Sequence, residues 1–156
     1  DGGCAPADGD PADRAVRGPL GAPVHPVSYY TNVQAIVDAL LDRYPKALVV
    51  LHRPTWYSPN TYNSSTYLAE GLKRLQSYSP MIDKLVEHYA ITSPDRVFLG
   101  DTLAFDYFKA NHLTHLIPES GQAGTFYLHP NKSGARELGH FWSEAILRCL
   151  PDKMKK

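Results

Sequence analysis

The chain has 156 residues, which suits one domain, and its 43% of hydrophobic residues excludes a composition typical of disorder. Sixteen Lys and Arg residues balance sixteen Asp and Glu residues, so the basic excess of a nucleic-acid-binding protein is missing. No apolar run approaches the ~20 residues that a membrane-spanning helix needs, and no signal peptide is visible. We therefore expect a globular domain with neither a nucleic-acid partner nor a membrane span.

The two ends of the chain differ in composition from the rest. Residues 1–18 are rich in Gly, Ala, Asp and Pro and show no hydrophobic periodicity, which predicts an irregular segment. Residues 152–156 contain three lysines, and we expect them to form a solvated basic tail. The folded domain is therefore expected within residues 19–151.

A helix and a strand are predicted near the start of this domain. Ser28 can cap a helix, apolar residues recur at helical spacing as far as Tyr44, and Pro45 follows. Residues 47–51 form a continuous apolar run that is bounded by Pro45 and Pro54. Such a run predicts a strand that is buried on both faces of a parallel sheet.

Helical periodicity and one more apolar run follow. The second apolar run, 96–100, predicts another buried strand, and Ser79 followed by Pro80 is typical of a helix start. In chain order we expect a polar aromatic loop at 53–65, helices at 66–76 and 79–90, the strand at 96–100, a helix at 103–110, a long loop at 111–128 and a last helix at 131–150.

This alternation of helices and strands predicts an α/β fold with a parallel sheet. Two strands are fewer than such a sheet usually has, because an open edge leaves backbone groups unpaired. The sequence therefore resembles part of a three-layer α/β/α domain that lacks its N-terminal strands. We expect low stability, or self-association through the exposed sheet edge.

The clearest sign of chemistry lies in residues 124–134, which read Gly-Thr-Phe-Tyr-Leu-His-Pro-Asn-Lys-Ser-Gly. His129 stands directly ahead of the last helix, which Asn131 can cap. A helix dipole disfavours an imidazolium at this end, and a neutral imidazole can act as a general base. The alternative is a histidine that only packs at the helix start.

The motif His-Pro-Asn-x-x-Gly, followed by an amphipathic helix, resembles the last conserved block of the SGNH/GDSL hydrolases. Residues 44–54, Tyr-Pro-Lys-Ala-Leu-Val-Val-Leu-His-Arg-Pro, are similar to a strand of bacterial members. The resemblance covers about residues 14–150 and implies a flavodoxin-like SGNH-hydrolase fold, of which residues 19–151 are a part. It also implies a serine esterase in which His129 is the general base.

The chain departs from the family pattern at the nucleophile and at the oxyanion hole. It contains no Gly-Asp-Ser, and Gly100-Asp101-Thr102 follows what resembles the family's last strand. The alignment that fits best places Ala12 where the family has an oxyanion-hole Asn, and Asp13 at the neighbouring Asp. Such a side-chain donor lowers the barrier by about 3 kcal/mol.

The orienting acid also departs from the pattern. The family places an Asp three residues before the histidine, and Phe126 stands there. Glu119 and Asp101 are candidates for the acid, with a solvated or structural carboxylate as the alternative for each.

A loop rich in aromatic and amide side chains follows the first strand. Arg53, Trp56, Tyr57 and Asn60 suit the binding of a sugar or a polar ester. The alternative is a packed loop in which Trp56 and Tyr57 belong to the core.

No cofactor or metal is expected, since His112 and His115 alone make an incomplete site and two cysteines do not form a framework. We interpret the chain as the part of an ester hydrolase that carries the His block without the Ser block. Its expected substrate is a small-molecule or glycan ester, and a carbohydrate acetyl ester is one candidate. The alternatives are a non-catalytic glycan- or protein-binding remnant and a truncated, inactive fragment. The resemblance slightly favours a secreted or periplasmic bacterial protein over a cytoplasmic one.

Overall fold

The computed structural model describes residues 25–60, 68–121 and 124–150. Within these ranges the chain forms five helices and four strands. In chain order they are α1 (Pro26–Arg43), β1 (Val49–Leu51), α2 (Ala69–Gln76), α3 (Ser79–Thr92), β2 (Val97–Leu99), α4 (Ala104–His115), β3 (Leu116–Gly121), β4 (Gly124–Pro130) and α5 (Lys132–Cys149). The expected irregular segment at 1–18 and the basic tail at 152–156 lie outside the described residues.

The two strands expected from apolar runs pair with each other in parallel. Val49 lies opposite Val97, and Leu51 lies opposite Leu99. The predicted α/β class and the parallel pairing are therefore confirmed. The expected burial of the first strand is wrong, because all three residues of β1 are only half-buried. Within the described ranges β1 pairs with β2 alone, so its other edge has no neighbouring strand.

Helices α1 and α3 pack together over β1 and β2. Their shared core contains Val37, Leu85, Tyr89 and Val97, and Leu85 is fully buried. Burial of a side chain of this size stabilises the fold by about 1.5–3 kcal/mol. Tyr89 also donates a hydrogen bond to the Asp38 carboxylate at 2.6 Å, which ties α3 to α1.

The expectation of a long loop at 111–128 is wrong. Helix α4 continues to His115, and an antiparallel hairpin of β3 and β4 follows it. The hairpin forms because Leu116 and Phe126 are buried while most of their neighbours remain more exposed, an alternation that suits two short strands. Gly124 begins β4 with a φ of 96°, which glycine adopts without strain.

The hairpin lies against α4 and α5, where a second core forms. The buried members of this core are Trp56, Ala104, Phe108 and Leu116, and the half-buried Tyr127 of β4 packs against them. The loop that follows β1 therefore supplies core rather than surface. In the described part of the chain, no helix is long and apolar enough to cross a membrane.

Candidate catalytic site

His129 and Glu119 form the one close His–carboxylate contact of the hairpin. The Nδ1 atom of His129 lies 2.9 Å from Oε1 of Glu119, and the same oxygen accepts a long 3.4 Å bond from the His129 backbone N–H. Glu119 lies on β3 opposite Phe126 of β4, so its side chain reaches along β4 to His129. The register of the hairpin thus brings together two residues that are ten positions apart.

This contact determines which nitrogen of a neutral His129 ring can act as a base. A carboxylate oxygen only accepts, so Nδ1 donates its proton to Glu119 and Nε2 keeps its lone pair. Among the described residues, none makes a hydrogen bond to Nε2. The His129 side chain is 64% exposed and that of Glu119 is 27% exposed, so Nε2 is accessible to a proton donor from outside this part of the chain.

The helix start behind His129 is built around Asn131 and Gly134. The Asn131 side chain accepts a hydrogen bond from the Gly134 N–H at 2.9 Å, which caps α5, and donates one to the Thr114 carbonyl at 2.8 Å. A Cβ atom on Gly134 would overlap the carbonyl oxygen of His115. Glycine is needed here because α5 begins in direct contact with the end of α4. The motif therefore holds the histidine at a defined place beside two helices.

Asp101, the other candidate acid, has a structural position. It is 3% exposed, and its carboxylate accepts hydrogen bonds from the backbone N–H groups of Leu103 and Ala104, at 2.9 Å from Leu103. Its own N–H donates to Nδ1 of His52. Asp101 thus begins α4, whereas Glu119 is the acid that the structure places beside His129.

The four expected substrate-binding residues separate in the structure. Trp56 and Tyr57 are each 7% exposed, which agrees with the alternative of a packed loop for these two rings. The Arg53 guanidinium bonds to both carboxylate oxygens of Asp83 at 2.8 Å. The Asn60 amide donates to the Thr125 carbonyl at 2.7 Å. Of the four, only Arg53 lines an open cleft.

Ser58, which the sequence did not single out, explains why this loop is packed. It is 7% exposed, its backbone N–H donates to the Tyr127 carbonyl, and its hydroxyl accepts from the Tyr127 N–H at 2.8 Å. Together with the Asn60 amide on Thr125, these bonds cover one edge of β4. Its serine was not predicted because its partner, β4, was not predicted.

A second histidine network connects α4 with α5. Nε2 of His115 lies 3.0 Å from the Tyr107 hydroxyl, and its Nδ1 lies 3.1 Å from the Ser133 hydroxyl. Burial raises the pKa of Tyr107, and the Glu137 charge adds to this effect, so the phenol stays protonated at neutral pH. The Ser133 hydroxyl also donates to Asn131 at 2.8 Å, so the network joins the start of α5 to α4.

The two closely spaced histidines of α4 have different surroundings. The ring of His112 contacts those of Trp56 and Tyr127, with centroids 5.1 and 5.0 Å away. His115 instead bonds to Tyr107 and Ser133. In residues 25–60, 68–121 and 124–150 no group of three or more His, Cys, Asp or Glu side chains could hold a metal ion.

A scan against models of protein families, a search of curated proteins and a search of solved structures each found no match to this chain. The argument for function therefore rests on the residues and on the geometry of the Glu119–His129 pair.

Proposed function

We propose that this chain carries the general-base part of an ester hydrolase of the SGNH/GDSL type, without the serine nucleophile. The observation that carries the proposal is the 2.9 Å contact between His129 and Glu119, directly ahead of a capped helix, with Nε2 left open. The substrate is an acyl ester, and a carbohydrate acetyl ester is the first candidate. The fold is then part of a flavodoxin-like, three-layer SGNH-hydrolase domain.

The departure at Phe126 has a spatial explanation in this proposal. Phe126 is 4% exposed and belongs to the core, so this position cannot supply an acid. Glu119 is the residue paired with Phe126 across the hairpin, and its carboxylate reaches His129 from there. A carboxylate from the neighbouring strand thus takes the orienting role that the family gives to an Asp on the same segment.

The chemistry of the pair follows from this arrangement. Nε2 of His129 takes the proton of a serine hydroxyl as the serine oxygen bonds to the ester carbonyl carbon. The carbonyl π electrons move to oxygen, and the resulting imidazolium is stabilised by Glu119. The imidazolium then gives the proton to the leaving alcohol, and an acyl-serine remains. Water, deprotonated by the same nitrogen, releases the acid.

A non-catalytic remnant that binds a glycan or a protein is the second candidate, and a truncated, inactive fragment is the third. The observation that favours both is the missing Gly-Asp-Ser motif. Loss of a nucleophile removes most of the rate enhancement of a serine hydrolase. A secreted or periplasmic bacterial location is part of the proposal, since it rests on the same resemblance.

The first experiment is fluorophosphonate labelling of the folded chain, with peptide mapping by mass spectrometry. We expect no labelled serine. One labelled serine that is lost in His129→Ala would contradict the claim that this chain lacks its nucleophile.

The second experiment tests the role of His129 itself. The gene is sequenced upstream, and the chain is expressed with any in-frame extension that carries Gly-Asp-Ser. We expect hydrolysis of p-nitrophenyl acetate, and a fall in kcat/KM of roughly 10³-fold or more in His129→Ala. An extended protein whose activity survives His129→Ala refutes the proposal, and a gene without the motif favours the remnant.

A further inference from the structure

A cleft of about 260 Å³ opens at the carboxyl ends of β1 and β2, on residues that neither the His block nor its pair uses. In open parallel α/β sheets this end of the strands is where ligands bind. Three segments contribute to the cleft: the loop after β1, the junction of α2 with α3, and the start of α4. Its lining residues are Arg53, Gln76, Ser79, Thr102, Phe105 and Asp106.

The charges around this cleft argue against an ionic ligand. Arg53 is already paired with both carboxylate oxygens of Asp83 at 2.8 Å, so its charge is balanced. Asp106 lines the cleft as an exposed carboxylate and leaves one surplus negative charge. A phosphate or carboxylate would be repelled by that charge, while a metal ion would have a single carboxylate and a nearby guanidinium. A neutral ligand suits the cleft better than either ion.

The hydrogen-bonding groups suit a ligand that has many hydroxyls. The Gln76 amide and the Ser79 and Thr102 hydroxyls can each donate and accept, and Asp106 accepts. Phe105 adds an apolar wall and packs against the second core, which holds the ring in place. We propose that this cleft binds one neutral pyranose unit, with its hydroxyls on the polar side chains and an apolar ring face on Phe105.

The size of the cleft sets the length of the ligand. Its volume of about 260 Å³ is below the roughly 300–1,000 Å³ of pockets for drug-sized molecules. A single sugar ring therefore fits better than an oligosaccharide. The identification of this sugar as the alcohol part of an ester rests on the proposed function, whereas its binding needs neither His129 nor a nucleophile.

The test is a ¹H–¹⁵N NMR titration of the ¹⁵N-labelled chain with methyl β-D-glucopyranoside, methyl β-D-galactopyranoside and methyl α-D-mannopyranoside, each to tens of millimolar. We expect saturable shifts with at least one glycoside, at the amides of residues 102–106 and 76–79. Loss of one hydrogen bond to a charged group weakens binding by roughly tenfold, so Asp106→Ala should raise Kd by about that factor. Gln76→Ala, at an exposed position, should raise it by about fivefold.

Asp42→Ala is the matched control, because Asp42 is another exposed helical aspartate that does not line the cleft. It should leave Kd within about twofold. The absence of saturable shifts with all three glycosides, or an unchanged Kd in both cleft variants, overturns the inference. Saturable shifts of the same amides with inorganic phosphate would also overturn it, since they would show an anion site. His129→Ala should bind the glycoside as the wild type does, so this result is independent of the esterase tests.

Discussion

The imidazole of His129 donates from Nδ1 to Oε1 of Glu119 over 2.9 Å. This bond crosses a hairpin whose two strands are held in register by buried residues, so the pair is positioned by the backbone and not only by two mobile side chains. Its chemical consequence is a preferred tautomer of the neutral ring, with a lone pair on Nε2.

The first prediction concerns that tautomer. ¹⁵N NMR of the histidine ring at about pH 8.5, where ordinary imidazoles are neutral, should show the Nδ1–H form of His129 as the major tautomer. In Glu119→Ala the acceptor is removed, so the Nε2–H form should increase. Glu144→Ala is the control, because Glu144 pairs with His140 at 3.2 Å and should not affect His129. Equal tautomer populations in the wild type and in Glu119→Ala would contradict the orienting role of Glu119.

The second prediction concerns the contact between α4 and α5. Gly134→Ala places a Cβ atom against the His115 carbonyl oxygen and should lower the free energy of unfolding by about 3 kcal/mol. Gly139→Ala is a matched control in the same helix, since its Cβ would meet no atom within 4 Å. This control should be stabilising by about 0.5–1 kcal/mol. Urea unfolding followed by circular dichroism measures both, and similar midpoints for the two variants would show that the helix start is not tightly packed.

The third prediction concerns pH and His52. Burial lowers the pKa of His52 below its ordinary value of about 6.5, against an opposing effect of Asp101. Its Nδ1 accepts the Asp101 N–H at 2.9 Å, and its ring stacks on Trp142 at a centroid distance of 4.9 Å. The unfolded chain therefore binds the proton more readily than the folded chain. The contribution of a neutral His52 to stability is present above about pH 6.5 and is lost as the pH falls toward the lowered pKa.

Urea unfolding at about pH 7.5 and pH 5.5 checks this sign. The decrease in the free energy of unfolding between these values should be smaller in His52→Gln, because the titrating group is removed. Glutamine keeps an oxygen that can accept from the Asp101 N–H. A decrease of the same size in both proteins would contradict the assignment to His52.

The fourth prediction concerns the open edge of β1. Sedimentation velocity should show self-association, because the edge of β1 away from β2 has no strand beside it in the described ranges and its three residues are apolar. Val50→Lys, which introduces a charge on this edge strand, should shift the population toward monomer. Ile36→Lys is the control on the 60% exposed side chain of α1. A monodisperse wild-type monomer with a cooperative melt would contradict the prediction, and dissociation by Ile36→Lys alone would place the contact on α1.

Local sequence patterns were enough to predict most of the helices and the parallel strand pair. The predicted last helix, 131–150, corresponds to α5 at Lys132–Cys149, and Asn131 caps it as expected. Ser79 and Pro80 do begin α3. These features depend on caps and on contacts within about four residues, so a short window of sequence contains the information.

The hairpin and the packed loop could not be predicted in this way. Pro118, Glu119, Ser120 and Gly121 are typical of a loop, and only the burial of Leu116 and Phe126 against α4 and α5 makes the segment a strand pair. Trp56 and Tyr57 are equally compatible with a binding loop and with a core. Their place depends on β4, to which the neighbouring Ser58 is bonded.

The sequence alone therefore determined the α/β class, the helix that follows His129 and the absence of a Gly-Asp-Ser nucleophile, because each depends on residue types and short spacings. Only the tertiary structure decided that Glu119, and not Asp101, lies beside His129. It also decided that Arg53 meets Asp83 and lines a cleft with residues from two other segments. The physical reason is that these contacts arise from strand register and helix packing, which join residues 10 to 53 positions apart and leave no periodic signal in the chain.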